Sequence, residues 1–152
     1  MTPGRCALVV LASVLATACG RPLTPEPLEV GRDACAYCRM TVSQAGFASQ
    51  LLAPGELPKF FDDLGCLSHF LTGAQEIPEG AVIYVADHRT REWAPAELAV
   101  FSRVPMLATP MSSHLVAHAS VTSKAADPSA IGGSSVPIGD VVPVAWQAGR
   151  GR

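Results

Sequence analysis

An excess of positive charge is what this chain most plainly lacks. Its 11 Lys and Arg stand against 13 Asp and Glu, a net charge of −2 with His neutral. That balance leaves no cationic footprint for a nucleic-acid backbone, so nucleic acid is not an expected partner. Charge of either sign is sparse, at 16% of residues. After residue 20 no apolar run approaches the ~18 residues that a membrane-spanning helix needs. A second Cys-x-x-Cys is also missing, and with it the usual means of closing a four-ligand zinc site. No identity repeat is visible. The 152 residues fit one domain of ordinary size or two very small ones, and 13 Gly with 13 Pro mark short elements joined by many turns.

What is present begins with an export pattern. Arg5 gives a positive start, and Cys6 to Ala18 is an unbroken apolar and small-residue run. As a helix that run would reach only ~20 Å, short of a ~30 Å hydrocarbon core, which fits the apolar region of a signal peptide over 1–18. It ends in Leu15-Ala16-Thr17-Ala18-Cys19-Gly20, which resembles a bacterial lipobox, with Cys19 the lipidated new N-terminus. The expected location is periplasmic, with a lipid on Cys19 holding the protein to a membrane, the outer one by preference. Residues 19–34, rich in Pro and Glu, read as the lipidated N-terminus and a flexible tether.

Once Cys6 leaves with the signal and Cys19 carries the lipid, Cys35, Cys38 and Cys66 remain. That is an odd number, where a pure disulfide framework in an oxidising compartment uses an even one. Cys35-Ala36-Tyr37-Cys38-Arg39-Met40 places two thiols and a thioether within six residues. Thiolate with thioether is the soft donor set that selects Cu(I) over hard divalent ions. The same pair also reads as a local disulfide, a redox couple or half of a zinc site. A second soft segment is Met106 to His114, where Met111 follows Pro110 and His114 lies three residues on. His69, His88 and His118 are the other imidazoles. Asp62 and Asp63 read first as caps of the helix that follows.

Alternation predicts a half-buried strand over 46–52, a turn at Pro54-Gly55 and a short strand over 58–61. A helix starting at Asp62 or Asp63, with Leu64, Leu67 and Leu71 on one face, ends at Gly73. A buried strand covers 81–86. Phe60, Phe61, Leu64, Leu67, Phe70 and Leu71 are expected to pack under Val82, Ile83 and Val85. Beyond Asp87-His88 the order restarts: strand material at Glu92-Trp93, 98–104 and 115–119, a short helix over 120–126, and a weak final strand over 136–144. The fold class is α+β, with a first unit over 35–88, a second over 89–148 and a frayed tail at 149–152.

Three segments in order, Cys35-Ala-Tyr-Cys-Arg-Met40, Phe61-Asp-Asp-Leu-Gly-Cys66 and Thr109-Pro-Met111, behind a lipobox-like start, resemble the NosL family. These are lipoproteins of denitrifying bacteria encoded with nitrous-oxide reductase. The resemblance runs from about Cys35 to Gly133, and departs at Ser112, where the family continues with glycine. It implies a metallochaperone rather than an enzyme, one that carries Cu(I) for assembly of the reductase's copper sites. The reductase or its maturation machinery is the implied partner, and Cys35, Cys38, Met40, Met111 and His114 are the candidate ligands. It implies two strand-strand-helix-strand units akin to the organomercurial-lyase core. The alternatives are a thiol-based mercury or redox enzyme, with Asp62 or Asp63 as acid, and a structural disulfide or zinc lipoprotein.

Overall fold

A computed structural model describes residues 23–148 apart from Gln75 and Ile77; the segment expected to be a signal peptide, Cys19 and the tail at 149–152 lie outside the described residues. The chain is α+β, with two small antiparallel sheets. β1 (Ser49–Leu52) turns through Gly55, at φ +76°, into β2 (Lys59–Phe61), and α1 (Leu64–Gly73) leads to β3 (Val82–Ala86). β4 (Trp93–Pro95) pairs with β3, so the sheet runs β2-β1-β3-β4 and takes its last strand from beyond residue 88. β5 (Val100–Arg103), β6 (Leu115–His118), α2 (Val121–Ala125) and β7 (Ser134–Val136) form the second sheet, in the order β6-β5-β7. In each sheet the first strand is central, the second lies on one side, and the strand after the helix lies on the other. The strand-strand-helix-strand topology therefore occurs twice.

β1 is buried along its whole length, rather than half-buried as its alternation suggests. Both faces of the first sheet are covered. Leu51, Phe61, Ile83 and Val85 pack against Leu64, Leu67 and Leu71 of α1, and the same core takes in Phe101, Leu115 and Ala117 of the second sheet. The opposite face carries Phe60 with Val42, Ala48 and, from the N-terminal segment, Leu28. Phe60 therefore does not lie under the helix with Phe61, because successive strand residues point to opposite faces. Val82 departs from Ile83 and Val85 in the same way, half-buried outside that core.

Three further expectations are corrected. Residues 45–47 form a 3₁₀ turn before β1 rather than its first part. From residue 23 the segment read as a tether docks on the sheet: the buried Gln50 amide accepts from the Glu26 N–H at 2.8 Å and donates to the Glu26 carbonyl at 3.2 Å. A buried amide needs such partners, and this segment supplies them. The final strand is Ser134–Val136, followed by a 3₁₀ turn and α3 (Val144–Ala148), not a strand over 136–144. Pro137 and Pro143 cannot donate to a ladder, and Pro143 stands just before the helix, where a missing N–H costs nothing. α3 seats Trp146 in the core, its indole N–H donating to the Leu71 carbonyl at 3.0 Å.

Candidate metal centre

The loop before β1 is shaped by main-chain bonds around Cys35. The Cys35 N–H donates to the Met40 carbonyl at 2.7 Å, and the Arg39 N–H to the Cys35 carbonyl at 3.0 Å. Closing this turn puts Arg39 at φ +67°, in the left-handed region. The Ala36 N–H donates to the Phe60 carbonyl at 2.7 Å, which ties the loop to the edge of the first sheet. Across from it, Cys66 sits in the first turns of α1, fixed by the Asp63 cap whose carboxylate accepts from the Gly65 N–H at 2.6 Å. The fold thus brings the Cys35, Cys38 and Cys66 sulfurs within 4.8 Å of one another, with no disulfide between them.

A trigonal site with metal–thiolate bonds of about 2.3 Å holds its sulfurs about 4 Å apart, so little contraction is needed around an ion. Cys35 and Cys66 are buried and Cys38 is half-buried. Burial opposes ionisation of Cys35, but N–H donors from Cys38, Asp62 and Tyr37 outweigh it and lower its pKa below 9.0. Three converging backbone N–H groups make a small anion nest. Burial pushes the Cys38 thiol up; the Met40 N–H works against that and the adjacent Cys35 sulfur adds to it. Burial and the charge on Cys35 push the Cys66 thiol up further. The surroundings thus favour ionisation of Cys35 over that of Cys38 and Cys66.

The second soft segment approaches the same place. Met111 lines a cavity of about 310 Å³ together with Cys66, Tyr37, His69 and Ser113. The Met111 N–H donates to the Asp63 carboxylate at 3.0 Å, so the helix cap also positions this loop. Gly65 makes the approach possible: a Cβ there would lie 2.9 Å from the Ser113 Cβ. Ser112 has φ +57°, which a glycine would adopt without strain. The other two candidates are placed differently. Met40 presents its side chain to solvent and contributes its N–H to the Cys38 sulfur. His114 turns its Nδ1 to the Leu107 carbonyl at 2.9 Å and is not among the side chains grouped with the three sulfurs.

Of the residues the sequence singles out, Cys35 and Cys38 join the sulfur cluster and Met111 lines the cavity beside it, while Cys66 had no role assigned. The available signal was the spacing of Asp63, Cys66 and His69, each three residues apart and so on one face of the helix. His69 stacks on Tyr37, with ring centroids 5.4 Å apart, at the mouth of the same cavity. Comparison with known proteins yields no match: no family model, curated protein or solved structure is significantly similar to the chain.

Proposed function

We propose that this protein is a Cu(I) metallochaperone, tethered in the periplasm by a lipid on Cys19, that delivers copper for assembly of nitrous-oxide reductase. The observation that carries the reading is the cluster of three cysteine sulfurs, one of them favoured as a thiolate, beside a cavity lined by a methionine. The donors are soft and few. Three thiolates suit Cu(I), while a closed structural zinc site wants a fourth ligand. The target and the location rest on the resemblance and on the export pattern of the sequence.

Delivery in this reading is ligand exchange. Cys35, the thiol whose ionisation its N–H donors favour, meets the ion first, and each sulfur binds as it gives up its proton. The Met111 thioether is neutral and comes from a different unit, so it adds affinity that an incoming donor can displace. The ion passes to the target's ligands with no net redox change.

The test is metal analysis of the full chain after reductive purification, followed by Cu(I) competition against a chromophoric chelator. Close to one copper per chain is expected, with affinity falling at least about tenfold in each of Cys35→Ser, Cys38→Ser and Cys66→Ser. Zinc in place of copper, or a stable disulfide with no metal uptake, sinks the proposal. Copper held as tightly by all three variants places the site elsewhere.

A further inference from the structure

A second group of potential ligands lies apart from the sulfurs, where the two sheets meet. His88 follows β3, His118 ends β6, and Asp127 caps the 3₁₀ turn after α2. Their ligand atoms all lie within 4.8 Å of one another. Asp127 Oδ2 takes both imidazoles, His88 Nδ1 at 2.7 Å and His118 Nε2 at 2.9 Å. Asp127 Oδ1 is engaged separately, accepting from the Ser129 N–H at 2.9 Å. From this geometry we propose that His88, His118 and Asp127 form a second metal site, which takes a divalent first-row ion of the zinc class.

The donor chemistry separates it from the thiol site. Two neutral imidazoles and a carboxylate are borderline-to-hard ligands that suit Zn(II) or Cu(II), and no sulfur belongs to the group. Two imidazoles and one carboxylate leave a fourth position open on a tetrahedral ion. Bonds of about 2.0–2.1 Å hold tetrahedral ligands about 3.3 Å apart, so each nitrogen moves back from the carboxylate by roughly half an ångström. Binding exchanges the two hydrogen bonds for metal bonds. In each ring the proton passes to the other nitrogen, leaving a lone pair on the metal side.

Burial distinguishes this group from an ordinary surface cluster. His118 is 0% exposed and Asp127 is 4% exposed. His118 Nδ1 has no hydrogen-bond partner. A buried imidazole with one nitrogen unanswered in either tautomer is a cost that an apolar residue would avoid. Nδ1 stays unanswered when Nε2 holds a metal, so the reason for an imidazole here lies on its Nε2 side, where it faces Asp127 and His88. Backbone bonds fix the frame: the His88 N–H donates to the Ala117 carbonyl at 2.9 Å, across the junction of the sheets. His88 also lines a cavity of about 410 Å³ with Ser43, Gln44, Gly46 and Arg91, which gives an ion an approach from solvent.

The experiment uses the reduced full chain with Zn2+ as the only metal, followed by imidazole 1H–15N correlation spectra. Zn2+ should shift the His88 and His118 ring resonances together, with Nδ1 of His88 and Nε2 of His118 as the metal-bound nitrogens. Loss of a group that merely supports a ligand costs about 10–100-fold in metal affinity, so His88→Gln and Asp127→Asn should each cost on the order of 100-fold or more at this site. Cys35→Ser should leave the ring response unchanged, which separates this site from the thiols. Rings unmoved by several-fold excess Zn2+ overturn the proposal, as does a ring response that persists undiminished in both variants. The wild-type titration decides by itself if a variant fails to fold.

Discussion

Each of the three clustered thiols titrates in an environment of its own. N–H donors around Cys35 overcome the effect of its burial and favour the thiolate, whereas burial and the neighbouring sulfur raise Cys38 and Cys66. A metal must displace protons from the raised pair. Cu(I) affinity should therefore climb with pH, by about tenfold per pH unit for each proton released. The slope in a chelator competition between pH 6 and 8 counts those protons. A flat profile would mean that thiols are not the ligands. The sequence made Cys35 and Cys38 legible because both lie on one turn. Cys66 was legible only as a leftover thiol, since its partnership with them depends on β2 and α1 folding beside the Cys35 loop.

At the scale of elements, α1 and the loop from Thr109 to His114 act as one piece. Asp63 caps the helix through Gly65 and holds the Met111 N–H with its other oxygen. Thr109 Oγ1 accepts from the His114 N–H at 3.1 Å, and Arg103 donates to the Ser113 carbonyl at 2.8 Å. Met111 is 41% exposed, so Met111→Ala should change metal-free stability by no more than about 1 kcal/mol. Cu(I) affinity should fall in the same variant. A core-sized stability loss with unchanged affinity would make Met111 a packing residue. Gly65→Ala tests the docking of the loop. Alanine favours the helix by about 1 kcal/mol, but its Cβ would meet Ser113. The loop must give way, and Cu(I) affinity should drop roughly three- to tenfold with little net change in metal-free stability. Unchanged affinity would show that the position of the loop is immaterial.

The elements were uneven in how clearly the sequence announced them. α1 declared itself through the Asp63 cap, the Leu64, Leu67 and Leu71 stripe and Gly73, its last residue. The burial of Gln50 did not, because a polar residue in a strand reads as a solvent face until the chain from residue 23 is seen lying over it. The Val-rich stretch at 136–144 looked like a strand, yet Val141, Val142 and Trp146 reach the core from a turn and a helix. Hydrophobicity there reported burial correctly and the period wrongly, because Pro137, Gly139 and Pro143 break any ladder.

At the scale of the whole molecule, two units of like topology meet at Asp87. Its Oδ1 accepts from the Arg89 and Thr90 N–H groups at 3.0 and 2.9 Å, closing the turn after β3. Its Oδ2 accepts from the Ala119 N–H at 2.8 Å, reaching the end of β6 in the other sheet. Burial opposes ionisation here, but the Ser123 hydroxyl and the N–H groups of Ala119, Thr90 and Arg89 outweigh it and hold the pKa at about 2, against an ordinary 3.8. A depressed folded-state pKa stabilises the fold above the unfolded value, so this contribution is complete above about pH 4 and fades as pH falls toward 2. Its size is roughly 2 kcal/mol. Asp87→Asn keeps the shape but replaces one accepting oxygen with a donor, which leaves an N–H on one side of the junction unanswered. The metal-free variant should lose about 1–3 kcal/mol at pH 7, and the deficit should shrink as acid protonates the wild-type carboxylate. Denaturant unfolding of both proteins at pH 7 and pH 3 reads the two numbers. Equal stability at pH 7, or a deficit that does not narrow in acid, would show that the two units are held together without the charge on Asp87.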